Sequence, residues 1–434
     1  MTRWSRGAIV LWMMPERRRM IMKRTMTLLL SCLLSAMVPS MAADYTLQIF
    51  GNANMDDVID EQDLDVVEAM IGGAETVQTE LSDADHDGDL DEDDRDLIER
   101  IIRGDPTTFT LIDSAGRVVS VKTPVKRIVP LYMRQAMAVI VLGGEDEIVG
   151  VDSTVLERNL LFPNLGKRPS VGSYKEPDIE AILELEPDLV ITFPHVGPQD
   201  QLDDKLPLEI ALVRFDLSRT DSLKEEMMKL GYIIGDRDAL EDYDEWFDRY
   251  MGTVEVRVSE IPEEDRVRVF LEREKTTDSK SAVRWAYASN TGYTDLCDLA
   301  GGENIAKDKI EYHGDVESEW VIDQNPDVII GLSYSGGYKA EDDALLMAYH
   351  EGIMSAPGFG FVDAVKNGRV YVISGDFSLG PQMTIGTVVV AKWLYPELFS
   401  DMDPEAIHRE FLRDFMHVDC DLAENGAFVY PPMD

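Results

Sequence analysis

One phrase occurs twice in this chain, 139 residues apart: Pro187-Asp188-Leu189-Val190-Ile191 and Pro326-Asp327-Val328-Ile329-Ile330. Each follows a helix-like stretch with a glutamate seven residues before the proline, Glu180 in the first copy and Glu319 in the second. A proline ends a helix because its ring crowds the residue before it. The short apolar run after it, without polar alternation, suits a strand buried on both faces of a parallel sheet. A helix feeding such a strand, repeated at this separation, predicts two similar α/β lobes. Two lobes enclose a cleft, and the glutamates take equivalent positions, one on each lobe.

The chain has 434 residues, 44% of them hydrophobic, enough for an ample core and more than one domain. Its net charge of −42 argues against nucleic acid or an anionic membrane surface as partner. Three cysteines are too few for a disulfide framework, and spacing leaves open whether Cys297 and Cys420 pair. The third, Cys32, falls in a leader-like segment. There Lys23-Arg24 precede an apolar run from Met26 to Val38, and Ser40-Met41-Ala42 forms a small-x-small cleavage site. Residues 1–42 are therefore expected to be an export signal, with Met22 an alternative start, and the protein to be periplasmic or at the cell surface. The run is too short for a spanning helix, and Cys32 lies inside it instead of after it, so no lipid anchor is expected.

Residues 44–106 form a compositional block, with 21 Asp and Glu against 3 Arg. Two calcium-loop patterns lie within it. The cleaner is Asp83-x-Asp85-x-Asp87-Gly88-Asp89-x-Asp91-x-x-Asp94. Oxygen ligands at loop positions 1, 3, 5, 9 and 12, a backbone carbonyl at 7 and a turn glycine at 6 are what a seven-coordinate Ca²⁺ requires. The other is Asn52-x-Asn54-x-Asp56-Asp57-Val58-x-Asp60-x-x-Asp63. Asn52 removes a charge and Asp57 replaces the glycine, so this loop is expected to bind Ca²⁺ more weakly. Each loop leads into an amphipathic stretch, Leu64/Val67/Ile71 and Leu97/Ile98/Ile101/Ile102. Two loop–helix units with Asp at position 12 resemble a type I dockerin, a small all-α paired EF-hand-like domain. That resemblance implies a cohesin partner, met through Ser/Thr-type pairs at positions 10 and 11. Here those positions hold Glu61-Gln62 and Glu92-Asp93, a departure that argues against cohesin binding while leaving the calcium pattern intact.

From Thr107 the pattern becomes α/β. Thr110–Val121 alternates like a hairpin about Ser114-Ala115-Gly116. Arg127–Leu131 and Ile148–Val151 read as strands, with a helix between them that ends at Leu142-Gly143-Gly144. Ala239–Ile261 reads as one long helix with Leu240, Tyr243, Phe247, Tyr250, Met251, Val254 and Val258 on a single face. It falls between the two copies of the repeat, where a rigid connector would sit. The second lobe opens with the strand Val267–Leu271 and is expected to close near Phe399.

Five short phrases then appear in order: Arg127-Ile128-Val129; Val149-Gly150-Val151; Val171-Gly172-Ser173-Tyr174 with Pro177-Asp178-Ile179-Glu180; Ala300-Gly301-Gly302-Glu303-Asn304-Ile305-Ala306; and Val365-Lys366-Asn367-Gly368-Arg369-Val370-Tyr371. In this series residues 107–434 resemble the substrate-binding proteins of iron-siderophore, haem and cobalamin ABC importers. The resemblance implies two Rossmann-like lobes, about 107–236 and 263–434, joined by one long helix at about 237–262. It also implies capture of a metal chelate in the cleft and docking of Glu180 and Glu319 onto an ABC permease dimer. The cleft residues it implies are Tyr132, Arg134, Tyr174, Phe193 and His195 from the first lobe, and Trp285, Tyr287, Tyr334 and Phe377 from the second. Flat amphipathic aromatics suit a large chelate.

No Gly-x-Ser-x-Gly elbow, phosphate loop or His-Glu-x-x-His motif is present, so no catalysis is expected. A binding protein for bare Zn²⁺ or Mn²⁺ is the alternative, as is a cohesin-docked component of an extracellular complex. Bare metal would need about three His and a carboxylate in the cleft, and only His195 and His313 are candidates.

Overall fold

Each acidic loop runs directly into a helix, α1 (Glu61–Ile71) and α2 (Glu92–Arg103). The computed structural model describes residues 45–74, 79–274, 282–339, 342–419, 422 and 426–433. The leader over residues 1–42, Cys32 and Cys420 lie outside them. Asp60 and Asp91, at loop position 9, are the helix N-caps, and Asp63 and Asp94, at position 12, return to the cap backbone N–H in complete capping boxes. The loops match in backbone conformation too, with left-handed residues at position 4, Met55 (φ 63°) and His86 (φ 58°). Gly88 at position 6 is left-handed as well (φ 100°), which any side chain resists, whereas Asp57 is not among the left-handed residues.

The acidic block packs into the α/β segment after it. Leu47, Ile49, Ile98 and Ile101 share one continuous core with Phe109, Leu111 and Met227. The Phe50 N–H donates to the Thr110 carbonyl (2.9 Å) and the Ile112 N–H to that of Gln48 (3.0 Å). The Ile59 N–H, inside the first loop, donates to the Tyr232 hydroxyl (2.7 Å). The boundary at residues 106/107 is one of composition, crossed by packing.

The hairpin forms as β1 (Thr107–Ile112) and β2 (Val118–Thr123), antiparallel throughout. Strands β3 (Ile128–Pro130), β4 (Leu189–Thr192) and β5 (Ala211–Arg214) make a parallel sheet in the order β3-β4-β5. Helix α3 (Met133–Val141) follows β3, the short α4 (Ile179–Glu184) precedes β4, and α5 (Leu223–Ile234) follows β5. Ile148–Val151 makes only isolated bridges, Ile128 with Ile148 and Val151 with Ser170, instead of the expected strand.

The long helix α6 spans Arg237–Ser259, 23 residues started by Asp236, whose side chain accepts from the Ala239 N–H. Six of the seven expected face residues are buried, with Tyr250 half-buried, and Trp246 joins them. This helix packs on α5 and α3 of the first half and on α7 (Gly292–Leu299) and α9 (Met383–Leu394) of the second. The second half is a seven-stranded mixed sheet. Its strands are β6 (Val267–Arg273), β7 (Val283–Tyr287), β8 (Gly302–Asn304), β9 (His313–Glu317), β10 (Val328–Ser333), β11 (Val370–Ser374) and β12 (Val429–Tyr430). The order is β9-β7-β6-β10-β11-β12, with β8 on β6, and β6, β10 and β11 are parallel. Helix α8 (Ser318–Gln324) precedes β10 as α4 precedes β4. The half extends beyond Phe399: a helix over Pro404–Asp414 sets Phe411 and Phe415 against Trp246, and β12 adds the last strand.

The repeat extends below the level of the phrase. Glu186 (φ 43°) and Asn325 (φ 45°), each just before the proline, are both left-handed helix terminators. Asp188 accepts from the N–H groups of Lys126 and Arg127 at the start of β3 (2.8 and 2.9 Å), and Asp327 accepts from the Arg268 N–H at the start of β6 (3.1 Å). Arg127 and Arg268 then reach the last helical carbonyls, of Leu185 (2.6 Å) and Gln324 (2.6 Å). In both halves the proline stops the helix, the Asp joins two strands, and an Arg closes the helix end.

Candidate functional site

The first half offers an aromatic wall at the carboxyl ends of its strands. Tyr132 begins α3, Tyr174 lies in a short hairpin over Gly172–Pro177, and Phe193 follows β4 directly. Their ring centres are 5.1 Å (Tyr132–Tyr174), 5.1 Å (Tyr132–Phe193) and 5.6 Å (Tyr174–Phe193) apart, with edge-on or tilted geometry.

Arg134 lies beside this wall, 9% exposed, its guanidinium 5.5 Å from the Tyr132 ring centre. Its Nε is buried without a hydrogen-bond partner, and no salt bridge to it forms among the described residues, although the Asp216 carboxylate is near enough to act on its charge. The loop at Gly380 of the second half packs on its stem, where a Cβ would come within 3.2 Å of Arg134 Cγ and Cδ. The second half supplies the opposite wall. The Tyr287 and Tyr334 hydroxyls share a 2.7 Å hydrogen bond, and the Tyr293 ring lies 4.8 Å from that of Tyr287. Arg273 sits 5.1 Å from the Tyr334 ring and 5.7 Å from that of Trp285. The charge on Arg134 feels Tyr132 from its own half and Tyr293 and Tyr334 from the other. Burial raises the phenols of Tyr132, Tyr287 and Tyr293, so they stay protonated at neutral pH and present O–H donors.

Tyr132, Arg134, Tyr174 and Phe193 thus form one wall, and Trp285, Tyr287 and Tyr334 belong to the other. Tyr293 and Arg273 were not singled out from the sequence. Tyr293 had a signal: it follows Gly292, where a Cβ would lie 2.2 Å from the Ser218 carbonyl oxygen of the other half, so the halves touch there. Two of the expected cleft residues stand apart from these walls. Phe377 is 2% exposed and packs against His408 (5.5 Å) and Phe428 (5.2 Å), a core role forced by its position behind the cleft loop. His195 is exposed and is not gathered with other metal-ligating groups among the described residues. His313, also exposed, lies tilted against Trp285 (ring centres 5.4 Å apart).

The segment under Arg134 is held by a buried carboxyl. Glu226 accepts from the N–H groups of Asp216 (2.8 Å) and Leu217 (2.6 Å) and from the Ser114 hydroxyl. Burial pushes it up to about 7 from an ordinary 4.5. The folded state therefore keeps a proton that the unfolded chain releases near 4.5. This contribution to stability is fully present below that pH and lost as pH rises through about 7. Glu226→Gln should remove it, so the melting temperature of the wild type relative to the variant should fall between pH 4.5 and 7.5. Parallel melting curves across that range would refute the assignment.

Glu180 and Glu319 are each the second residue of their helices, α4 and α8, and both are exposed. Only four residues separate α4 from β4 and three separate α8 from β10, so each helix runs back along its strand. Both glutamates therefore lie at the cleft end of their halves, the end from which Phe193 and Tyr334 emerge.

In the second acidic loop, carboxylate oxygens of Asp83, Asp85 and Asp87 lie within 4.8 Å of one another, and Asp94 accepts from the N–H groups of Asp85 and Asp91. In the first, Asn52 is fully buried, and its Oδ1 has no hydrogen-bond partner while its Nδ2 donates to the Leu47 and Asp56 carbonyls. Asp63 closes that loop onto the N–H groups of Asn54 and Asp60. Asn54 bonds to Asp56, and the Asp89 N–H to Asp87.

Comparison with known proteins is consistent with this architecture. A family model described as "Periplasmic binding protein" matches residues 128–376. The molybdate-binding protein MolA of Haemophilus influenzae is 23% identical over 338 residues, covering 70% of this chain and 90% of that protein. The substrate-binding lipoprotein YvrC of Bacillus subtilis, an uncharacterised ABC transporter component, is 21% identical over 300 residues, 67% of this chain and 87% of its own. Among solved structures, the TroA-like periplasmic binding protein FepB from Veillonella parvula aligns with a TM-score of 0.60 at 22% identity, covering 74% of this chain and 98% of its own. The chain belongs to the periplasmic binding protein family, the solute-binding components of ABC importers. No helix among the described residues is long and apolar enough to cross a membrane.

Proposed function

We propose that this protein captures a metal chelate, of the corrinoid, haem or ferric-siderophore kind, between its two halves and delivers it to an ABC permease through Glu180 and Glu319. The observation that carries this reading is Arg134: a guanidinium buried among aromatic rings from both halves, its Nε without a hydrogen-bond partner and its charge without a salt bridge among the described residues. A buried guanidinium with an unbonded N–H and no salt bridge leaves a place for an acceptor or anionic group of the ligand. The surrounding rings and protonated phenols suit the flat faces and acceptor edges of a chelate. Relatives named as vitamin B12-binding proteins, 25% identical over 170 residues, support the same class. A bare oxyanion such as molybdate is the second reading, favoured by the likeness to MolA and by a site of arginine and hydroxyl donors. Incubation with cyanocobalamin, haem or ferric tris-catecholate, followed by desalting, tests the proposal: one chelate should co-elute with the protein by its visible spectrum. Molybdate retained by metal analysis while no chelate co-elutes would establish the second reading instead.

In this proposal the N-terminal loops hold two Ca²⁺. Asn52, Asn54, Asp56, Val58, Asp60 and Asp63 would ligate one and Asp83, Asp85, Asp87, Asp89, Asp91 and Asp94 the other, the valine and Asp89 by their carbonyls. The unpartnered Asn52 Oδ1 and the converging Asp83, Asp85 and Asp87 oxygens support it. Bound Ca²⁺ would neutralise mutual repulsion among the carboxylates. Because this block shares the core of the first half, the whole protein should melt lower in excess chelator than in millimolar calcium. Asp83→Ala or Asp94→Ala should shrink that difference more than Asn52→Ala. Identical melting with and without chelator would rule out structural calcium.

A further inference from the structure

A third arginine stands at the cleft and is already taken. Arg158 crosses from the first half to Asp376 in the loop after β11, its Nε and Nη2 bonding the two carboxylate oxygens at 2.9 and 2.7 Å. Both side chains are buried, 5% and 4% exposed. The backbone that carries the carboxylate is fixed on both sides. The Asp376 N–H donates to Ser374 Oγ (3.2 Å), and Gln382 donates to the Asp376 carbonyl (2.6 Å). Gly337 backs it, left-handed at φ 66°, and a Cβ there would lie 2.4 Å from that of Asp376. Arg158 is fixed at its other edge by the Thr154 carbonyl (2.7 Å), with Glu157 3.7 Å away. The pair lies beside the aromatic wall: the Tyr132 hydroxyl feels Arg134, Arg158 and Asp376 together.

We propose that Asp376 sets the charge of the ligand that the cleft accepts, by keeping Arg158 out of the binding set. Among the described residues the cleft then offers the guanidinium groups of Arg134 and Arg273, without that of Arg158. Such a site favours a ligand of low negative charge, such as a dianion, over a trianionic tris-catecholate, because each further ligand charge would enter a low-dielectric site without its own cation. Asp376 and Arg158 act as a positioning and specificity pair, and this inference rests on the chelate reading of the same cleft.

Titration calorimetry with neutral cyanocobalamin, dianionic haem and trianionic ferric tris-catecholate measures the charge order. Asp376→Asn should free Arg158 and raise the affinity for tris-catecholate relative to haem by about tenfold or more. Arg158→Gln, which leaves Asp376 uncompensated, should move the order the opposite way, toward cyanocobalamin. The double variant should return to the wild-type order. A purely structural pair would weaken all three ligands alike, so unchanged ratios in the single variants overturn the inference. If one single variant fails to fold, the other and the double variant still decide the sign. Wild-type protein that binds none of the three overturns the chelate reading itself, and the inference with it.

Discussion

Replacing Arg134 by glutamine should cost the protein its ligand. The substitution keeps a polar, planar end group but shortens the side chain and removes the buried charge beside Tyr132. Truncating one member of a buried charge pair costs about 2–5 kcal/mol, so affinity should fall by roughly thirtyfold to several thousandfold. Arg134→Lys should recover only part of it, because a compact ammonium cannot reproduce the planar fork or its packing on the Tyr132 ring. Because Arg134 makes no salt bridge among the described residues, thermal stability without ligand should change little. That pairing of lost binding with retained stability separates a ligand contact from a structural arginine. Equal affinity in the Arg134→Gln variant would remove Arg134 from the site.

The second large effect separates transport from binding. Glu180→Ala with Glu319→Ala should leave ligand affinity unchanged, because both side chains are exposed on the first turns of α4 and α8 and take no part in the wall contacts of Tyr132, Arg134, Tyr287 or Tyr334. Uptake through the cognate importer should fall at least tenfold, since complementary charges at such a contact set both encounter and register. Each single substitution should lie between, since each half keeps its own contact. Uptake at wild-type level in the double variant would refute docking through these residues. Parallel loss of ligand binding would mean that they serve the fold.

Much of this architecture was legible because the repeat is a physical unit. Proline, Asp and the apolar run each do a local job, so the phrase identified helix α4 with β4 and helix α8 with β10, and α6 followed from its 3.6-residue period. What sequence hid was set by distant contacts. The arginines that close each helix, Arg127 and Arg268, act on carbonyls more than 50 residues away. The Arg158–Asp376 pair spans 218 residues and has no local signature. Ile148–Val151 has the apolar content of a strand but lacks a neighbour along its length, so only bridges form. Phe377 looked like Tyr132 and Phe193, an aromatic just after a strand, yet the C-terminal helix carrying His408 buries it. Aromatic residues report that a loop matters, and the elements that pack on it decide which way the ring turns. The charge shift at residue 106 was real, but composition does not reveal that hydrophobic residues of the acidic block, Ile98 and Ile101, complete the core of the next segment.

The most direct measurement is a calorimetric titration of the calcium-loaded wild-type protein with cyanocobalamin, haem, ferric tris-catecholate, molybdate, Zn²⁺ and Mn²⁺ in turn. At least one chelate should bind with Kd below about 10 μM, near −7 kcal/mol, and that binding should weaken by roughly thirtyfold or more in Arg134→Gln. Binding of Zn²⁺ or Mn²⁺ in that range, with none of the chelates bound and with His195 and His313 required, would contradict chelate capture.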